Sequence, residues 1–149
     1  MTPGRAVFDP NVLISALLSP SGSPASLVAR WLAGEFELVV SEELVAELGR
    51  ALNYPKLRSR ISVEDATAFI DLLRRTATTV EDPAMAPRRS RDPGDDYLLA
   101  LAEAAAAILV TGDQDLLDLA DVPVFSPSAF LETLAYHTTQ GARWARPSG

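Results

Sequence analysis

Acidic residues at four separated places in the chain have the type and spacing that could bind a metal ion. They are Asp9, Glu47, the adjacent pair Asp95 and Asp96, and Asp113. Two of these places closely follow short apolar runs, residues 6–8 and 108–110, that are typical of buried strands. Carboxylates gathered without a cation repel one another, so a cluster of them usually indicates a divalent metal. The pattern therefore favours a metal-dependent phosphodiester hydrolase.

Composition narrows the choice of metal. The chain has no cysteine and a single histidine, His137. A disulfide framework, a thiolate zinc site and a histidine cluster are therefore excluded. Oxygen ligands suit Mg²⁺ or Mn²⁺ better than Zn²⁺, so we expect one of these two ions as the cofactor.

Strands and helices alternate in the pattern of apolar residues and turn signals. Strands are expected at residues 5–8, 36–40, 77–80, 108–110 and 122–125. Helices are expected at residues 11–18, 24–32, 42–52, 63–75, 114–119 and 127–136, with a further one that opens at Asp95 or Asp96 and ends near residue 106. Ser41, Ser62 and Ser126 are suitable N-caps, and the proline-rich residues 81–94 form a loop.

This alternation predicts an α/β fold with a central parallel sheet flanked by helices on both faces. A chain of 149 residues, 48% of them hydrophobic, fits one domain with a substantial core. We expect the domain at residues 1–136 and a polar C-terminal tail at residues 137–149. Sites in such sheets form beyond the carboxyl ends of strands, which is where Asp9 and Asp113 would lie.

The N-terminus and the apolar runs bear on localisation. The first strand begins so early that no room is left for a signal peptide, and no apolar stretch reaches the roughly 20 residues of a membrane span. We therefore expect a cytoplasmic protein without a membrane partner.

Charge is unevenly distributed along the chain. The formal net charge is −7, yet residues 50–91 hold nine basic and five acidic side chains, a local balance of +4. The remaining residues carry a balance of −11. A local basic region can attract a polyanion that the net charge would repel. Arg88, Arg89 and Arg91 are the candidates for such contacts, and a solubilising loop is the alternative.

Each acidic residue also has a purely structural interpretation. Asp9 before a proline could begin a turn, and Asp96 could be only an N-cap. Asp113 and Asp115 could cap the short helix that follows them, and Glu47 could face solvent. Capping does not require these positions to converge on one edge of the sheet, and that convergence favours a functional site.

The chain resembles the PIN-domain nucleases, and among them the toxins related to the VapC ribonucleases. The resemblance covers roughly residues 6–134 and depends on four segments in the right order: residues 7–16, 40–48, 91–102 and 110–117. Each segment alone is weak evidence for the resemblance, but four segments in order at suitable separations are fairly specific. The resemblance implies a PIN-like, Rossmann-like fold.

The resemblance also implies roles for individual residues. Metal-binding and catalytic roles fall on Asp9, Glu47, Asp96 and Asp113, and auxiliary roles on Asn11, Ser41, Thr111 and Asp115. Asn11 would brace the first acid, and the hydroxyls of Ser41 and Thr111 would support the rim. Pro10 stands where the family usually has threonine. The stretch from Asp96 to Thr111 is about one residue short, so Asp95 is the alternative third acid.

The activity implied is Mg²⁺- or Mn²⁺-dependent cleavage of RNA, single-stranded or looped. The partners implied are a cognate antitoxin and a second copy of the chain in a homodimer. A receiver domain would need a lysine at a late strand end, and the single lysine is Lys56. A haloacid-dehalogenase-type phosphatase would need an aspartate where Asn11 stands. The stronger alternative is a catalytically weak PIN-like module that binds a protein partner or RNA.

Overall fold

Five parallel strands form the sheet in the computed structural model, which describes residues 4–119 and 123–145. The strands are β1 (Arg5–Phe8), β2 (Glu37–Val40), β3 (Thr78–Thr79), β4 (Ile108–Val110) and β5 (Val124–Phe125), in the spatial order β3-β2-β1-β4-β5. The helices are α1 (Pro10–Leu18), α2 (Ser23–Leu32), α3 (Glu42–Leu52), α4 (Pro55–Arg58), α5 (Val63–Thr76), α6 (Pro93–Ala104), α7 (Gln114–Leu117) and α8 (Pro127–Ala145). The predicted α/β fold with a parallel sheet is confirmed.

The strand order places a topological switch point between β1 and β4. From β1 the chain moves outward to β2 and β3, and it then returns to add β4 and β5 on the other side of β1. Crossovers between parallel strands are right-handed, so this reversal puts the first helices on one face and α6 and α7 on the other. The connections diverge at the carboxyl ends of β1 and β4, where a cleft opens.

The central strand is buried because it is paired on both edges and covered on both faces. Val7 pairs with Val39 of β2 and with Leu109 of β4, and all three side chains are fully buried. Parallel strands of this kind are continuous apolar runs rather than alternating ones, which is why the sequence shows them clearly. Phe8, Phe36 and Phe130 pack together beside the sheet, with ring centroids 5.0–6.5 Å apart.

All three predicted serine caps are confirmed by hydrogen bonds to the first turn of a helix. Ser41 Oγ accepts a hydrogen bond from the Leu44 amide at 3.2 Å, and Ser62 Oγ accepts one from the Asp65 amide at 3.0 Å. Ser126 Oγ likewise accepts from the Ala129 amide at 3.2 Å, at the start of α8. Each bond satisfies an amide that the first turn of a helix leaves unpaired.

Two helix boundaries differ most from the predictions, and one short helix was not predicted. Helix α6 begins at Pro93, not at Asp95 or Asp96, because the Asp92 carboxylate caps it by accepting from the Gly94 amide at 2.9 Å. Helix α8 continues to Ala145 instead of ending near residue 136. Helix α4 was not predicted, since four residues carry too little pattern. The proposed tail at residues 137–149 stays a prediction, and its residues 146–149 lie outside the described residues. Residue 122 of the predicted last strand also lies outside them.

No single helix within the described ranges is long and apolar enough to cross a membrane. Helices α1 and α2 would reach that length and composition only as a pair, and they bend by 100° at the turn between them. Four residues of α1, Pro10 and Val12 to Ile14, are buried in the domain.

Two leucines of α2 provide a matched test of the core. Leu27 is fully buried and Leu32 is 48% exposed. We expect Leu27→Ala to lower the free energy of unfolding by about 2–5 kcal/mol because it leaves a cavity, and Leu32→Ala to lower it by less than about 1 kcal/mol. Urea unfolding followed by circular dichroism measures both. Equal losses would contradict the packing of α2 against α1 and α8.

Candidate active site

An acid-lined cavity of about 390 Å³ lies beyond the carboxyl ends of β1 and β4. Five acidic residues line it: Asp9, Glu47, Asp92, Asp95 and Asp113. They come from the ends of two strands, from α3 and from the start of α6. The fold thus gathers residues that are as much as 104 positions apart in the sequence. Asp96, which the sequence analysis favoured, is not among the residues that line this cavity.

Asp9 is the most firmly held of the cavity acids. Its amide donates to the Val110 carbonyl at 2.9 Å, which extends the β1–β4 pairing by one residue. Its carboxylate accepts from the Asn11 amide at 3.0 Å and from the Thr111 hydroxyl at 2.8 Å. Only 7% of Asp9 is exposed. Both carboxylate oxygens are therefore oriented by the protein, and Asp9 also caps α1.

Thr111 connects Asp9 to Asp113. The Thr111 side chain is fully buried, and its Oγ1 accepts from the Asp113 amide at 3.1 Å while its hydroxyl donates to Asp9. Asp113 is half-buried and caps α7 by accepting from the Asp115 amide at 2.9 Å. The predicted supporting role of the Thr111 hydroxyl corresponds to these contacts. Asp115 itself is exposed and does not line the cavity.

Asp95 faces the other cavity acids. Burial raises the pKa of Asp95 to about 6, together with the nearby carboxylates of Asp113, Asp92 and Asp9 and a hydrogen bond with Asp113. A raised pKa of this kind means that the ionised form is poorly compensated where it stands. A bound cation would supply the positive charge that the ionised carboxylate lacks. Asp95 therefore lies among the cavity acids, where Asp96 was expected.

Asp96 points away from the cavity and holds the segment 88–90. It is 1% exposed, and its Oδ1 accepts from the amides of Arg89 and Ser90 and from the Ser90 hydroxyl, at 2.8–2.9 Å. Its Oδ2 lies 3.3 Å from Nε of Arg88. Burial alone would raise the pKa of Asp96, but these donors outweigh it and lower the pKa. Successive helix residues point about 100° apart, so Asp95 and Asp96 cannot both face the cavity.

Glu47 enters the cavity from α3. Burial and the neighbouring Asp9 carboxylate raise the pKa of Glu47, although Arg50 opposes this. Arg50 and Tyr54 line the same cavity, and so does Asp92. These three were not predicted as site residues. Arg50 lies one turn after Glu47 in α3, a spacing that puts both on one face and could have revealed it, whereas Tyr54 lies beyond the end of α3.

Two other expected auxiliary residues contribute differently from the prediction. Asn11 lines the cavity, but it braces Asp9 through its backbone amide, and its side chain is exposed. Ser41 is fully buried and does not line the cavity. Besides capping α3, its hydroxyl bonds to the Tyr97 hydroxyl, which donates in turn to the Asp82 carboxylate. This network fastens the loop that follows β3 to the starts of α3 and α6.

The three loop arginines have different surroundings. Arg89 is 17% exposed, and its guanidinium pairs with Glu103 at 2.6 Å, so it is poorly placed for a phosphate. Arg88 is 73% exposed and lies beside Asp96, and Arg91 is exposed. None of the three lines the acidic cavity, whereas Arg50 does and has a 61% exposed side chain.

The cavity acids fit a hard divalent cation by their chemistry, since all their donors are carboxylate oxygens. Between residues 4–119 and 123–145, however, no three acidic side chains are arranged as a metal-coordinating group. Burial, together with the neighbouring carboxylates, raises the pKa of Asp95 and of Glu47, so the ionised forms of both are poorly compensated. Binding a cation would require the side chains to turn toward a common point.

Comparisons with known proteins agree with this architecture. The uncharacterized protein MJ1680 of Methanocaldococcus jannaschii is 29% identical over 117 residues, which are 78% of this chain and 76% of that protein. The crystal structure of PAE2754 from Pyrobaculum aerophilum aligns with a TM-score of 0.65 and 20% identity, over 89% of this chain and 90% of that one.

Two further solved structures share the fold. One is VapBC2 from Rickettsia felis, bound to a DNA fragment from the VapBC2 promoter. It aligns with a TM-score of 0.58 and 15% identity, over 80% of this chain and 96% of that one. The other is FitAcB from Neisseria gonorrhoeae, with a TM-score of 0.52, 20% identity and coverage of 82% and 97%. The family model described as PIN domain matches residues 5–115. The chain therefore belongs to the PIN-domain family.

Proposed function

We propose that this protein is a Mg²⁺- or Mn²⁺-dependent endoribonuclease and the toxin component of a toxin–antitoxin pair. The observation that carries the proposal is the acidic cavity at the switch point, where Asp95 has a pKa of about 6 among Asp9, Asp92 and Asp113. Membership of the PIN-domain family, whose members are generally nucleases, supports the hydrolase activity. The fold shared with VapBC2 and the VapC-like sequence segments support the toxin role.

Asp9, Glu47, Asp95 and Asp113 are the residues proposed to hold the ion. A bound divalent ion lowers the pKa of a coordinated water and neutralises charge that develops on a phosphate. The protein contributes orientation, because the Asn11 amide and the Thr111 hydroxyl fix both oxygens of Asp9. Asp96 acts differently: its carboxylate holds the segment 88–90 beside the first turn of α6.

RNA is the substrate we propose, in single-stranded or looped form. Arg50 lines the cavity, and Glu43, with which it forms an ion pair, is also exposed. An exposed ion pair of this kind contributes little, so Arg50 can exchange Glu43 for a phosphate at small cost. Arg88 and Arg91 lie on the loop that leads to α6 and would extend the contact to flanking phosphates.

A cognate antitoxin is the proposed protein partner, and a homodimer the proposed assembly. An acidic cavity of about 390 Å³ can accept a cationic side chain from such a partner and thereby exclude the metal ion and the substrate. A catalytically weak PIN-like module that binds a protein or RNA is the second candidate. It is favoured by the absence, among the described residues, of three acids already arranged around one metal position.

Removal of the cavity acids tests the activity. Asp9→Asn and Asp113→Asn should lower Mn²⁺-dependent cleavage of RNA by about 100-fold or more, because each removes charge that would hold the ion. Asp118→Asn, an equal charge change at an exposed residue outside the cavity, should leave cleavage unchanged. The assay compares structured RNAs and single-stranded DNA with Mg²⁺, Mn²⁺ or EDTA. Equal cutting by all variants would indicate a contaminant, and no cutting by any would favour the binding module.

The neighbouring acids Asp95 and Asp96 of α6 should have different effects on metal binding and on stability. We expect Asp95→Asn to weaken Mn²⁺ binding about tenfold or more without lowering the free energy of unfolding in EDTA. Asp96→Asn should retain Mn²⁺ binding but destabilise the protein, since it removes the acceptor for the 88–90 amides. Calorimetric titration with Mn²⁺ and urea unfolding measure the two effects. The reverse pattern would assign the metal to Asp96, as the family resemblance implies.

The pKa of Asp95 predicts how stability depends on pH in metal-free protein. Its value of about 6 exceeds the ordinary 3.8, so between these pH values the folded protein holds a proton that the unfolded chain has released. The free energy of unfolding should therefore fall as pH rises from about 4 to about 7, and fall less in Asp95→Asn. Mg²⁺ should stabilise the protein more at pH 7.5 than at pH 5, because protons compete with the metal. Parallel profiles for wild type and variant in EDTA would contradict the raised pKa.

A further inference from the structure

Tyr54 is an exposed aromatic residue on the wall of the acidic cavity. Five large hydrophobic side chains are strongly exposed in the described part of the chain: Leu32, Tyr54, Val63, Met85 and Tyr136. Of these, Tyr54 alone lines the cavity, and 62% of it is exposed. Leaving an aromatic ring in water forgoes the free energy of burying it, so its position at the site proposed to bind RNA points to a ligand.

The backbone presents the Tyr54 ring from a fixed position. Its amide donates to the Ala51 carbonyl at 3.1 Å, and its carbonyl accepts from the amides of Leu57 and Arg58 at 2.9 and 3.0 Å. The following Pro55 restricts Tyr54 to the extended conformation it adopts, with φ −64° and ψ 138°. The residue is thus clamped between α3 and α4, and a ligand that covers the ring need immobilise only two side-chain torsions.

Arg50 and Tyr54 both line the cavity, Arg50 from the last turn of α3 and Tyr54 from just beyond the end of that helix. The Arg50 side chain is 61% exposed. A guanidinium beside an aromatic ring matches a nucleotide, whose phosphate and base carry the complementary features. The five acids of the cavity repel a peptide carboxylate and a phosphate alike in the absence of a cation, so it is the aromatic ring that favours a nucleotide over a carboxylate-bearing peptide.

We propose that Tyr54 stacks on a nucleobase of the substrate, next to the phosphate that Arg50 contacts, and thereby selects single-stranded nucleic acid. The proposal rests on the proposed nuclease function and names the substrate feature that the same cavity recognises. In a duplex both faces of each base are covered by neighbouring pairs, so the ring can be used only where a base is unstacked. Stacking accepts any base, which predicts weak sequence preference at this position.

Substitution of Tyr54 tests the proposal with matched controls. Tyr54→Ala should weaken binding of a single-stranded RNA about 5- to 100-fold, and Tyr54→Phe should stay within about twofold of wild type because the ring is retained. Tyr136→Ala removes an equally exposed aromatic residue that does not line the cavity, and it should have no effect. Binding is measured by fluorescence anisotropy in Ca²⁺, and cleavage in Mn²⁺. KM should rise in Tyr54→Ala with kcat little changed.

A coupling experiment identifies the stacked base. A set of RNAs carries one abasic nucleotide at each position around the mapped cleavage site. At one position Tyr54→Ala should no longer weaken RNA binding, because the base that the ring contacts is already missing. Urea midpoints equal to that of wild type would show that the variants are folded, as expected for an exposed side chain.

Two results would overturn the assignment. Wild-type cleavage with unchanged binding by Tyr54→Ala would refute stacking and leave the nuclease intact. A Tyr54→Ala penalty that is the same on every abasic RNA would also refute it, and would indicate that the ring supports the fold or a protein contact. If the wild type neither binds nor cleaves any RNA, the proposed function and the stacking role fail together.

Discussion

The hydrogen bonds that join the end of β1 to the end of β4 are the constraint on which the rest of the site depends. The Asp9 amide bonds to the Val110 carbonyl, and the Thr111 hydroxyl bonds to the Asp9 carboxylate. Both strands are buried on two faces, so neither bond can slip without moving the core. Asp9 and Asp113 are consequently held near each other by the sheet itself, and the helices need only bring the remaining acids to them.

The first turn of α6 directs the adjacent carboxylates of Asp95 and Asp96 away from each other. Two adjacent carboxylates could not both join the cavity without further repulsion, and the helix points them in different directions. Asp96 is buried but receives three hydrogen bonds and the Arg88 charge, which lower its pKa. Asp95 receives no such compensation, and its pKa rises. A buried acid with donors holds structure together, whereas an uncompensated acid in a cleft is suited to bind a cation.

The sequence predicts the strands and the location of the site because both depend on short-range patterns. Buried parallel strands are apolar runs, and acids just beyond them must lie at the carboxyl edge of the sheet. The choice between Asp95 and Asp96 could not be made in this way, because it depends on where α6 begins. That start is set by the Asp92 carboxylate and Pro93, a local cap within a loop that contains several prolines and aspartates. Arg50 could have been predicted from the helix face that it shares with Glu47, whereas Tyr54 lies beyond the end of α3, where no helical spacing relates it to Glu47.

A protein with a net charge of −7 and an acidic cavity can still receive a polyanion if its charges are separated in space. The strand ends and the start of α6 supply four of the five acids that line the cavity, whereas the end of α3 and the residues just beyond it supply Arg50 and Tyr54. A cation on the acidic side would make both sides attractive to a phosphate, whereas without it the acidic side repels one. In the proposed nuclease, affinity for nucleic acid would therefore depend on the metal ion as much as on arginine. The ion would act on binding as well as on chemistry, and a cationic partner in the same place would block both.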